Sequence, residues 1–187
     1  MIDRLTQIIV LEIGNMVENS KIEWCDHTVN LWWGCSKVHT GCKNCYAEKL
    51  SRRFDIDEYW GDNRPRKHIK SAFSDLNKYQ KQAEKLGIKY KIFIGSMMDI
   101  FEESKQLINP TDEFKDTGDL RIELFSRINM DCYNNLIFLF LTKRPRNIWQ
   151  MIPDNWGHGI ENVWFGTSIS DEETSINITG LVIAIYL

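Results

Sequence analysis

Apolar positions along this chain recur at two spacings, and the alternation between them predicts its elements. His27 to Trp33 (HTVNLWW) is rich in β-branched and aromatic residues and predicts a short strand. It runs into Gly34-Cys35 and a loop containing Gly41. Asn44 is placed to cap a helix from Cys45 to about Phe54, on which Tyr46, Leu50 and Phe54 share a face. Asp55 to Lys70 is polar, with Gly61 and Pro65, and predicts a loop. A second helix spans Ser71 to Leu86, with Phe73, Leu76, Gln80, Ala83 and Leu86 on one stripe and Gly87 as its stop. Tyr90 to Gly95 predicts a strand, and Asn109 to Gly118 a loop. Asp119 is placed to cap a third helix, whose Leu120, Leu124 and Ile128 share a face. Leu136 to Leu141 (LIFLFL) is wholly apolar, as expected of a strand buried on both faces. Pro145 opens a short helix, and Asn162 to Gly166 is a further strand.

This order of elements predicts an α/β fold with βα repeats around a parallel sheet. Each strand leads at once into small, polar or charged residues. Ser96 and Asp99, with Met97 and Met98 between them, follow one strand. Thr142, Lys143 and Arg144 follow the next, and Thr167, Ser168 and Ser170 the last. Ligands of parallel α/β folds bind at the carboxyl ends of strands. These groups and the cysteine-bearing loop are therefore expected to line one mouth.

Composition narrows the picture little. The chain has 187 residues with 43% hydrophobic and 26% charged, the proportions of a globular domain. No apolar run reaches the roughly 18 residues of a membrane span. The net charge is −3, but residues 43–91 carry 13 Lys/Arg against 7 Asp/Glu. That segment admits a nucleic-acid substrate without requiring one; solvated helix faces are the plainer reading. No secretory signal is evident, so a cytoplasmic, reducing setting is expected.

In such a setting clustered cysteines point to metal or redox chemistry rather than disulfides. Gly34 to Glu48 reads GCSKVHTGCKNCYAE, which places Cys35, Cys42 and Cys45 in a C-x6-C-x2-C spacing. Three thiolates suit an iron–sulfur cluster with one iron left open. They also suit zinc, with His39 as the fourth ligand. Spacing alone leaves both open, together with unliganded thiols. The position of the loop after a strand of an α/β array favours an active site over a structural zinc knuckle.

The stretch NSKIEWCDHTVNLWWGCSKVHTGCKNCYAEKL, from Asn19 to Leu50, resembles the phage-associated three-Cys-motif family of radical S-adenosylmethionine-like proteins. KIFIGSMMDIF (91–101), FLTKRPRNI (140–148) and NVWFGTSISDEE (162–173) are similar in kind and order. The resemblance implies an incomplete TIM-barrel-like fold, a 4Fe-4S cluster on Cys35, Cys42 and Cys45, and S-adenosylmethionine on the open iron. Reductive cleavage of its sulfonium would yield a radical that abstracts hydrogen from a substrate the resemblance does not name. An electron donor would be required, and His39 would not be a ligand.

The resemblance also marks departures. The cysteine spacing is wider than the usual C-x3-C-x2-C. An aromatic residue that normally precedes the third cysteine, near the adenine, is here Asn44, and Tyr46 follows instead. Tyr46, Ser96, Asp99, Lys143 and Arg144 are the expected cofactor-binding residues. Ser96 and Asp99 suit an amino group or ribose, and Lys143 and Arg144 a carboxylate or phosphate. Residues 1–15 read as an extra extension, 16–173 as a partial radical S-adenosylmethionine-like domain, and 174–187 as an aberrant or truncated tail. The alternatives are a zinc-stabilised accessory or nucleic-acid-binding protein, and a remnant without activity. Cys132 is expected to be a buried small hydrophobe, and His27, His68 and His158 to be structural.

Overall fold

A computed structural model of the chain describes residues 22–156 and 159–186. The expected extension at 1–15 and His158 lie outside the described residues. Seven strands are described: β1 His27–Val29, β2 Trp32–Trp33, β3 Arg66–His68, β4 Tyr90–Ile94, β5 Leu107–Ile108, β6 Leu136–Thr142 and β7 Val163–Thr167. Five α-helices accompany them: α1 Tyr46–Arg53, α2 Ala72–Leu86, α3 Thr117–Asn129, α4 Ile148–Met151 and α5 Asn177–Tyr186.

The main sheet has the order β1-β4-β6-β7, and every pairing in it is parallel. Ile92 faces Phe138 across the β4–β6 ladder, and Phe140 faces Phe165 across β6–β7. The fold is thus mixed α/β with a parallel four-stranded sheet, and no closed barrel forms among the described residues. A small second sheet has the order β2-β3-β5, antiparallel at β2–β3 and parallel at β3–β5.

The expected strand at 27–33 is therefore two strands in two sheets. Asn30 lies at the break. Its Oδ1 accepts from the Met97 amide at 2.7 Å, and its Nδ2 donates to Ser96 Oγ at 2.8 Å. Side-chain bonding by Asn competes with the ladder and turns the chain out of the main sheet. The expected loop at 55–70 likewise carries β3, because the Arg66 amide finds the Gln106 carbonyl at 2.8 Å.

Helix boundaries shift for local reasons. Asp116, not Asp119, caps α3: its carboxylate accepts from the amides of Gly118 and Asp119. Asp119 answers from the third helical position by accepting from the Asp116 amide, which closes a capping box. Asn44 does not cap α1; Cys45 stands at that position with no side-chain cap, while Asn44 Oδ1 accepts from Lys49. On α1 the buried residues are Ala47, Leu50 and Ser51, and both Tyr46 and Phe54 are exposed. On α3 the expected stripe of Leu120, Leu124 and Ile128 is buried. On α2 the stripe centres on Leu76, Tyr79 and Ala83, and Leu86 is exposed.

The main core lies on one face of the sheet. Val29, Ile92, Ile94, Phe138, Phe140 and Val163 pack there with residues of α2 and α3. The other face holds a small cluster of Ile22, Cys25, Phe93 and Leu139. Here β6 departs from the expectation of burial on both faces, since Leu141 is 36% exposed. Leu136, Phe138 and Phe140 are still buried, because their face meets the main core, while Leu139 is covered by the small cluster. Cys132 is exposed rather than buried: it follows α3 in a turn, beyond the core-facing stripe. The segment expected to be an aberrant tail forms a 3-10 turn at Glu173–Ile176 and then α5, which packs on Pro145–Asn147 and β7. No helix among the described residues is long and apolar enough to cross a membrane.

Gly34 fixes the exit from β2. Its φ is +113°, and an added Cβ would collide with the Tyr59 carbonyl oxygen and lie 2.8 Å from Arg66 Cδ. Gly87 ends α2 at φ +65° with open space around it. Gly87→Ala therefore costs only the left-handed conformation, about 1 kcal/mol. Gly34→Ala is expected to cost at least about 3 kcal/mol, since backbone must also move. Urea unfolding of the two variants measures the difference; equal midpoints would contradict this packing.

Candidate functional site at the carboxyl end of the sheet

The cysteine loop leaves β2 and turns back across the ends of the parallel strands. After β4, the Met97 carbonyl accepts from the Gly34 amide at 3.1 Å, and the Ser96 carbonyl accepts from the Tyr46 hydroxyl at 2.5 Å. After β6, Arg144 donates to the Ser36 carbonyl at 2.8 Å and Ser36 Oγ at 3.0 Å. After β7, Asp171 accepts from the Thr40 hydroxyl at 3.0 Å, and Asn177 meets His39 Nε2 at 3.4 Å. One loop is thus bonded to segments following three strands. The strand-end groups expected to line one mouth are brought together around it.

A buried charge network lies beneath that loop. Arg66 and Glu102 are both 0% exposed. Arg66 Nε and Nη2 grip the two Glu102 oxygens at 2.9 and 2.7 Å, the bidentate fork that best compensates desolvated charges. Arg66 Nη1 donates to the carbonyls of Tyr59, Gly61 and Arg64. Glu102 Oε1 also accepts from the Ser36 amide at 2.9 Å and the Ser36 hydroxyl at 2.6 Å. Arg144 Nη2 stands 3.4 Å from that oxygen, and Arg144 Nη1 pairs with Asp99 Oδ2 at 3.0 Å. Two arginines thus face two carboxylates. Burial pushes the Glu102 carboxyl up, but the Arg66 fork, Ser36 and Arg144 outweigh it and hold it below the usual range.

The expected cofactor residues take up specific places. Asp99 is saturated: besides Arg144 it accepts from Thr142 Oγ1 at 2.7 Å, the Lys143 amide at 3.0 Å and the Phe101 amide at 3.1 Å. Ser96 is buried, and its side chain is engaged by Asn30. Arg144 is buried and committed to the network. Lys143 is the partly exposed cation of the group; it lines a cleft of about 240 Å³ with His39, Glu103, Arg146 and Asn177. Tyr46 is 39% exposed with its hydroxyl bonded to the Ser96 carbonyl, and burial followed by the neighbouring Cys45 raises its pKa.

Cys35, Cys42 and Cys45 are all free thiols. Cys42 is buried; Cys35 and Cys45 are partly so. Cys35 Sγ donates to the Ser36 carbonyl at 3.4 Å and receives Arg144 Nη1 at 3.6 Å. Burial pushes its pKa to about 12, against the opposing pull of Arg144. Among the described residues no three His, Cys, Asp or Glu side chains form a group that could hold a metal ion. His39 Nδ1 already accepts from the Gly41 amide at 3.1 Å, and Nε2 stands 3.4 Å from the Asn177 side-chain nitrogen. A single zinc ion needs four donors at about 2.0–2.3 Å from one point, and these residues do not supply them. Three cysteine thiols are donors of the kind that iron–sulfur clusters use, and with a histidine of the kind that zinc uses.

Arg66, Glu102, Ser36 and Asn30 were not singled out by the sequence reading. Glu102 had a local signal, an acid directly after the apolar Ile100-Phe101. Arg66 had none, since it lies in a polar stretch with other cations.

One family model, described as Protein of unknown function (DUF5131), matches residues 19–184. No curated protein and no solved structure matches the chain.

Glu102→Gln removes the charge opposite a fully buried arginine, and a broken buried pair costs about 3–5 kcal/mol. Lys89→Ala breaks the exposed pair with Glu161 and should barely move stability. Chemical denaturation of both variants reads the contrast. A Glu102→Gln midpoint at the wild-type value would mean that the fork contributes nothing.

Proposed function

The chain belongs to the family described as Protein of unknown function (DUF5131). We propose, from the cysteine motif and its place in the fold, that it is an iron–sulfur protein of the radical S-adenosylmethionine-like kind. The observation that carries the reading is the bonding of one three-cysteine loop to the segments after β4, β6 and β7. Active sites of parallel α/β proteins are built at that end of the sheet. The open four-stranded sheet, with helices packed on one face, is compatible with an incomplete TIM-barrel-like architecture.

Cys35, Cys42 and Cys45 would hold a 4Fe-4S cluster, with one iron open to S-adenosylmethionine. The chemistry supplied there would be one-electron reductive cleavage of the sulfonium, with the electron coming from an external donor, followed by hydrogen abstraction from a substrate. The chain's own residues then have distinct tasks. Tyr46 is fixed through its hydroxyl on the Ser96 carbonyl and leaves its ring at the mouth for an adenine. Asp99 holds the segments after β4 and β6 together through Thr142, Lys143 and Arg144. Lys143, beside Arg146 in the cleft, offers charge to an anionic ligand, which suits a nucleic-acid substrate. Five free cysteines agree with a reducing, cytoplasmic setting. The zinc-stabilised alternative would have to use His39 through Nε2, because Nδ1 accepts from the Gly41 amide.

Anaerobic treatment with ferrous iron and sulfide is the test. The wild type should turn brown and retain acid-labile sulfide. The triple variant Cys35→Ala, Cys42→Ala, Cys45→Ala should stay colourless, and His39→Ala should colour like the wild type. A colourless wild type that binds one zinc, weakened by His39→Ala, would overturn the proposal.

A further inference from the structure

We propose that Arg144 is a positioning residue for the cysteine centre, holding Cys35 in place and offering N–H donors to the sulfur of a thiolate-held cluster. The inference rests on the iron–sulfur reading above. It assigns Arg144 to the cluster side of the site rather than to a cofactor or substrate carboxylate.

The geometry points this way for three reasons. First, Arg144 is 6% exposed and held from several directions. Asp99, the Ser36 carbonyl, Ser36 Oγ and Glu102 fix its guanidinium, and Asp99 is itself fixed by three further donors. A cation so placed cannot swing out to meet a ligand. Second, Arg144 is the cation in contact with Cys35: its Nη1 lies 3.6 Å from the sulfur. The two arginines are matched by the two carboxylates, so no spare cation stands behind Cys35, and what Arg144 supplies there is a fixed, directed N–H contact. Third, Arg144 Nε is buried with no hydrogen-bond partner, a donor that the described residues leave unused. An N–H donor to a cluster sulfur raises the cluster's reduction potential, and outer partners of metal ligands set how firmly the metal is held.

The experiment compares wild type, Arg144→Lys and Arg144→Gln after anaerobic cluster assembly. Circular dichroism checks folding, since Arg144→Gln leaves Asp99 without its cation. Arg144→Lys keeps the charge but loses the planar fork, and it carries the test if Arg144→Gln does not fold. The readouts are the reduction potential and the rate of iron release to a chelator. Arg144→Lys is expected to have a more negative potential and about tenfold faster iron release, and Arg144→Gln a larger change in both. A folded, loaded Arg144→Lys with wild-type potential and wild-type release would overturn the inference and leave the iron–sulfur reading standing. A wild type that assembles no cluster would overturn both.

Discussion

The site depends on one buried ion pair, Arg66 with Glu102. Desolvating two charges costs several kcal/mol per ion, and only close, well-aligned hydrogen bonding repays it. The Arg66 fork does so, and the remaining capacity of Glu102 is spent on Ser36, the residue beside Cys35. One carboxylate thereby ties β3 of the small sheet to the start of the cysteine loop. Through Arg144 and Asp99 the same network reaches the segments that follow β4 and β6 of the main sheet. Gly34 is required between them, because the chain passes too close to Tyr59 and Arg66 for any side chain.

This arrangement ties the loop down through hydrogen bonds among the chain's own residues. Small zinc modules fold around their ion and are unfolded without it. Here the loop is held by hydrogen bonds to the Met97 and Ser96 carbonyls, by Arg144 and Glu102, and at its far side by Asp171 and Asn177. The three thiols are free, and they are not gathered for one ion.

Much of the architecture was legible in the chain. The alternation of apolar runs with helical stripes leads to a parallel α/β sheet, and Tyr90, Leu136 and Val163 lie at or beside the predicted strand starts. The mouth was legible too, because polar residues follow each strand directly. What failed was decided by side chains acting on backbone. Asn30 splits one predicted strand into two, and the Asp116–Asp119 pair starts α3 before the predicted cap. Arg66 was invisible because burial of an arginine depends on a carboxylate 36 residues away, which no local pattern encodes. Exposure of Leu141 shows the same limit: an all-apolar run identifies a strand, while what covers its second face is a tertiary matter.

The most direct measurement of the central claim is an anaerobic crystal structure of the iron- and sulfide-treated chain, with anomalous data at the iron edge. The account predicts a cubane bound by Cys35, Cys42 and Cys45, with Arg144 still donating to the Cys35 sulfur. A lone metal ion bound through His39, or iron on other residues with these three thiols left free, would contradict it.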